Sequence, residues 1–220
     1  MSKSKRKQQL RRDRRPVRRQ SWYDRIPVLP VVMGSLVVIA LAGVFVYNQL
    51  TVQASPTRPV SAIQCSAGEQ AAAHYHAHLE IIYLGSQVNV PGAIGVSNPV
   101  TDQTTGYVTS GSCFYWLHTH YTDGIIHIEA PASAAKRRFT LGDFFDVWHI
   151  SNSSVRLDST HLATLTVAKG QSLKVIVDGK PYTGNPRNVD LGPSGNHTQI
   201  TLEIAPPDTP QTPFTFPQGL

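Results

Sequence analysis

The stretch Cys113–Pro131, CFYWLHTHYTDGIIHIEAP, decides how the rest of the chain is read. Two apolar-rich runs flank Asp123-Gly124, the dipeptide that most favours a two-residue type I′ turn, so the spacing predicts a β-hairpin. With those residues as the turn, Thr122 faces Ile125, His120 faces His127 and His118 faces Glu129. Alternate residues of a strand point to the same side. His118, His120, His127 and Glu129 therefore share one face, with facing Cβ atoms ~5 Å apart. Leu117, Thr119, Tyr121, Ile126 and Ile128 form the other. One face suits a core, and the other gathers metal-ligand side chains.

Upstream, His74–Leu84 (HYHAHLEIIYL) predicts a second half-buried strand. Tyr75, Ala77, Leu79, Ile81 and Tyr83 alternate with His74, His76, His78 and Glu80. Gly85-Ser86 reads as a turn and Gln87–Val90 as a short return strand. A strand His-x-His pair has its Cα atoms ~6.6 Å apart, near enough to chelate one ion. Imidazole is a ligand for zinc and suits copper, nickel and iron. His74 and His78 are ~13 Å apart along a strand, so not all six histidines of these strands can hold one ion. The expected ligands are His76, His78, His118, His120 and His127. His74, Glu80 or Glu129 would be a further ligand or a group that orients one, and either glutamate could serve as a general base. Asp123 is read as a turn former or as a residue that orients a neighbouring histidine.

Several imidazoles without thiolate point to zinc or copper. The only methionines, Met1 and Met33, precede the globular part, which argues against a methionine-rich Cu(I) carrier. Three function classes remain open on the residues alone. One is a metal-binding domain for sequestration, sensing or delivery; another is a metal-dependent enzyme with an open coordination position. The third is a structural or docking domain whose histidines bind no metal and titrate freely. His149, His161 and His197 are expected to face solvent. No Gly-rich phosphate loop, G-x-S-x-G motif or cysteine-nucleophile context is present.

Charge separates the chain into regions. Residues 1–25 hold 11 Lys/Arg against two Asp, a net of +9, whereas residues 26–220 carry a net of −3. The sequence pI near 9.5 therefore describes a basic tail, and a nucleic-acid partner is not expected. About 20 uncharged residues follow, from Val28 to Tyr47, long enough to cross a bilayer core of ~30 Å. Trp22, Tyr23 and Tyr47 flank them as interfacial aromatics do. The expectation is a single-pass anchor at 26–50, with the 1–25 tail in the cytoplasm against anionic lipid headgroups and the remainder outside. Cleavage after Ala54, as in a signal peptide, is the alternative. A linker at 51–64 leads to a domain at 65–205. On the external side Cys65 and Cys113 are expected to pair as a disulfide.

Phe139–Trp148 predicts a short helix, with Thr140 as N-cap, Asp143 three residues on, and an apolar stripe of Leu141, Phe144, Phe145 and Trp148. Leu173–Val177, Lys180–Thr183 and Gln199–Ile204 read as strands. Residues 206–220 are Pro-rich and are expected to be disordered. The fold class is α+β: mainly antiparallel β-hairpins with one short helix packed on the sheet, preceded by one transmembrane helix.

The motifs H-x-H-x-H-L at 74–79, C-x-Y-W-L-H-T-H…G-x-I-H-I-E-x-P at 113–131 and F-T-L-G-x-F-F-D-x-W at 139–148 resemble a family of uncharacterised membrane-anchored bacterial proteins. The V-D-G-K-P-Y-T-G-N-P-R segment at 177–187 resembles its C-terminal part. The resemblance implies a compact extracytoplasmic domain and no established activity.

Overall fold

The structure, a computed structural model, describes residues 63–192 and 197–220. The basic tail, the apolar segment and nearly all of the linker lie outside the described residues, and so do the expectations placed on them. Among the described residues no helix is long and apolar enough to cross a membrane.

A seven-stranded sheet organises these residues. Its strands are β1 (Ala73–Tyr83), β2 (Ser86–Val88), β3 (Leu117–His118), β4 (Ile125–Ala130), β5 (Ser172–Val177), β6 (Lys180–Pro181) and β7 (Thr198–Ala205). The order is β6-β5-β7-β1-β4-β3, with β2 paired to the far end of β1. The pairings are antiparallel except at the centre, where β7 runs parallel to β1. Smaller sheets form beside it. Cys113–Tyr115 lies between Cys65–Ser66 and Val96–Ser97; Arg156–Leu157, His161–Ala163 and Leu165–Thr166 make another. The Cys65–Cys113 disulfide is present, with its Cα atoms 5.6 Å apart.

Among the described residues the expected α+β class is realised as a mainly β fold with one short α-helix, α1 (Leu141–Ser151). Its start follows from local chemistry. The Thr140 hydroxyl accepts from the Asp143 N–H, and the Asp143 carboxylate accepts in return from the Thr140 N–H, so two otherwise unpaired donors are satisfied. Leu141, Phe144, Phe145 and Trp148 are buried and join one core with Tyr75, Ala77, Leu79 and Ile81 of β1. Ile126 and Ile128 of β4 and Ile200, Leu202 and Ile204 of β7 complete that apolar layer. Period-2 alternation on adjacent strands thus places every apolar set under α1 and every polar set on the opposite face.

Two turns differ from their sequence reading. The β1–β2 turn is Leu84-Gly85, both at positive φ, one residue earlier than Gly85-Ser86. The larger correction concerns the opening stretch. His118 pairs with His127 and Leu117 with Ile128, a register two residues from the expected one, in which His118 faced Glu129. Residues after His118 leave the ladder because other partners claim them. The Thr119 N–H donates to the Ile94 carbonyl, the Ala93 N–H to that of Thr119, and the Val108 N–H to that of His120. Asp123-Gly124 consequently closes a longer loop. The Asp123 carboxylate accepts from the Ile125 N–H, and the Gly124 carbonyl accepts from the Leu79 N–H of β1 at 2.9 Å. Gly124 has φ +79°, and a Cβ there would collide with the Leu79 carbonyl, so this approach requires glycine. A shift of two preserves parity, so the same histidines stay on the same face.

Residues 206–220 form no helix or strand. They run back along the polar face beside β7. The Thr209 N–H donates to Glu203, the Gln199 amide donates to the Phe214 carbonyl at 2.6 Å, and the Phe216 ring stacks on His197.

Candidate metal centre

The polar face of β1, β4 and β3 carries one cross-strand row. His127, in the middle, pairs with His76 of β1 on one side and His118 of β3 on the other. Their rings lie 4.6 and 5.4 Å from the His127 ring, centroid to centroid. His120, just beyond β3, brings its ring to 4.6 Å from His127. One row along, His74 pairs with Glu129. Three sets of ligand atoms converge within 4.8 Å of one another: His118, His120 and His127; His74, His76 and His127; and Glu69, His118 and Glu129.

Main-chain carbonyls fix two of the imidazoles. His118 Nδ1 lies 2.9 Å from the Tyr115 carbonyl, and His120 Nδ1 lies 2.6 Å from that of Val108. A carbonyl only accepts, so each Nδ1 carries a proton, and in the neutral ring Nε2 is then a bare lone pair. Those two Nε2 atoms sit 3.1 Å apart. Neutral rings so placed repel unless a cation or a proton lies between them. Ligation through one nitrogen with the other held by a carbonyl is the arrangement metal-binding histidines adopt. Two ligands at ~2.0–2.1 Å from a tetrahedral zinc are themselves roughly 3.3 Å apart, close to the spacing found here.

Burial reinforces this. His118 is fully buried and His76, His120, His127 and Glu129 nearly so. Burial holds the His118 imidazole far below the usual histidine range, at about 3; Glu129 opposes the shift, and His127 and His120 add to it. Burial likewise holds His127 at about 3, with His120 and His74 reinforcing it. His76 is lowered to about 4 by burial, then by His127, His74 and His197. Neutral imidazole is the ligating form. Both His76 ring nitrogens are buried without a hydrogen-bond partner among the described residues, which costs about 1–3 kcal/mol for each group left so.

Carboxylates border the imidazoles. Glu129 Oε1 is 3.4 Å from both His74 Nε2 and His127 Nδ1, and its Oε2 is 4.0 Å from His118 Nε2. Glu69 Oε1 is 3.3 Å from His120 Nε2. Tyr107 stacks on the His120 ring and Phe114 packs edge-on against His118. Together these side chains leave the centre largely closed to solvent.

Of the expected ligands, the structure brings together His76, His118, His120 and His127, with His74 and Glu129 beside them. His78 stands apart. Its Nε2 lies 3.1 Å from the Asp123 carbonyl and its ring stacks on Phe214 at 3.6 Å. Asp123 thus both forms its turn and holds a histidine. Glu80 also lies apart, accepting from the Thr201 hydroxyl at 3.1 Å. His149 and His197 are exposed and His161 is half-buried. Sequence reasoning missed Glu69, which sits in an irregular loop with no periodicity. The disulfide held the clue: Glu69 follows Cys65 by four residues, and Cys113 precedes His118 by five.

A cavity of about 660 Å³ opens between Leu157, Leu173, Tyr182 and Arg187, and none of the clustered histidines lines it. The chain matches no protein-family model, and no curated protein or solved structure proved similar to it.

Proposed function

We propose that this chain is a membrane-anchored, extracytoplasmic domain that binds zinc or copper on the histidine face of its sheet, for sequestration, sensing or delivery. One observation carries the reading: the His118 and His120 Nε2 atoms face each other at 3.1 Å, each with its Nδ1 occupied by a main-chain carbonyl. His127 completes the imidazole set, and Glu129 lies alongside. Near-complete burial of these groups favours a filled ligand shell over a catalytic one, which keeps a position open to water.

The disulfide supports an oxidising compartment. The basic tail and apolar segment support an anchor with its N-terminus in the cytoplasm, drawn to anionic lipid headgroups. Membership of the membrane-anchored bacterial family that its motifs resemble belongs to the same reading.

Equilibrium dialysis of the full chain in detergent against zinc tests the assignment. The wild type is expected to retain zinc, and the double variant His118→Ala, His120→Ala to lose the zinc held between those two rings. The N-terminal region cannot confuse the result with imidazole or thiolate ligands, because all nine histidines lie between His74 and His197 and both cysteines are disulfide-bonded. Retention of less than about 0.1 equivalent by the wild type would sink the reading.

A further inference from the structure

The donor atoms around His127 outnumber what one ion can take. A four-coordinate ion uses four ligands, yet His74, His76, His118, His120 and Glu129 all converge beside His127, with Glu69 against His120. They also divide in space. His118, His120 and Glu69 lie on the β3 side of His127, and His74 and His76 lie on the β1 side. Between them stands Glu129, with its two oxygens turned to different groups. Oε1 is at 3.4 Å from His74 Nε2 and from His127 Nδ1, and Oε2 is at 4.0 Å from His118 Nε2.

We propose that the histidine face is a two-ion centre, in which Glu129 bridges a first divalent ion at His118 and His120 and a second at His74 and His76. This rests on the metal-binding reading above and extends it. His127 lies within reach of both positions and completes either shell. Three independent features point to the second position. His76 is buried with neither ring nitrogen hydrogen-bonded among the described residues, so one of them is available to an ion without breaking an existing bond. His74 supplies a nitrogen within the same 4.8 Å set. The two Glu129 oxygens face different groups, Oε1 toward His74 and His127 and Oε2 toward His118, so this carboxylate can reach an ion on either side. Two close divalent ions repel, and the negative charges of Glu129 and Glu69 offset part of that repulsion. Ions sharing a bridge sit ~3.5–4 Å apart. The ligand class is a pair of late first-row divalent ions that accept nitrogen and oxygen donors, for which zinc is the probe.

Zinc content per full chain, measured by elemental analysis after dialysis, gives the test. Two ions are expected in the wild type, and one in His74→Ala and in His76→Ala. The His74 side chain is 51% exposed, so its variant keeps the fold even if the buried His76 variant does not. Cobalt substitution adds a second readout: two Co²⁺ ions sharing a carboxylate show magnetic coupling, and His74→Ala abolishes it. One ion in the wild type, or two ions undiminished by His74→Ala, overturns the second position while leaving the metal-binding function intact. No bound zinc in the wild type overturns both.

Discussion

Acid should unfold the metal-free protein well above the range in which carboxylates titrate. The perturbation is a fall in pH from 7 to 5 in the presence of a chelator. His118 and His127 are held at about 3 in the fold and His76 at about 4, all first by burial, against 6.5 for the free side chain. These are depressed histidines, so between 6.5 and about 4 the unfolded chain binds more protons than the folded one. Their neutral burial therefore carries no pH-dependent penalty above pH 6.5, and stability is lost progressively as the pH falls below it. At pH 5 the loss is about 2 kcal/mol for each independent histidine. Three of them set an upper bound of about 6 kcal/mol, comparable with the whole stability of many domains. Asp158, lowered to about 2 from 3.8 chiefly by the Thr160 hydroxyl, acts only at lower pH and does not enter this window. Urea midpoints followed by the fluorescence of buried Trp116 and Trp148 at pH 7, 6 and 5 give the measurement. Saturating zinc should hold the midpoint up to a lower pH, because ligation competes with the proton. A chelated protein whose midpoint stays level or rises toward pH 5 would refute the burial of neutral imidazoles.

Other perturbations test the scaffold. Thr140→Ala removes the capping box of α1 and should cost about 1 kcal/mol in a thermal or urea melt. Reducing Cys65–Cys113, which are 48 residues apart, should destabilise the domain by about 4 kcal/mol in the chain-entropy model, read as a lowered urea midpoint. Gly124→Ala forces a side chain into a left-handed position against the Leu79 carbonyl; the expected loss exceeds the ~1 kcal/mol of an ordinary glycine replacement and is accompanied by weaker zinc binding.

Face membership was the most legible feature of the sequence. Alternation alone assigned Leu79, Ile126 and Ile128 to the core and His76, His118 and His127 to the opposite side. It did so although the expected hairpin register was wrong by two residues, because an even shift leaves parity intact. The register itself depended on where residues 119–124 find partners, and those partners, Ile94, Ala93, Val108 and Leu79, come from distant positions with no local signature. The parallel β1–β7 pair was equally hidden, since period-2 alternation reads the same in either direction. Helix α1 was legible from its cap to its apolar stripe, both of which are local. For the C-terminal residues, proline content reports the lack of regular structure and says nothing of docking. Phe214 over His78 and Phe216 over His197 are the contacts that composition could not reveal. They also explain why His78 left the ligand set: its ring is covered and its Nε2 engaged.

X-ray absorption at the zinc edge of the loaded full chain probes the central claim most directly. Ligation by the histidine face predicts a shell of nitrogen and oxygen donors only, at ~2.0–2.1 Å, with outer-shell scattering from at least two imidazoles. His118→Ala should remove part of that imidazole scattering. A shell of six oxygens without imidazole scattering, unchanged in His118→Ala, would contradict it.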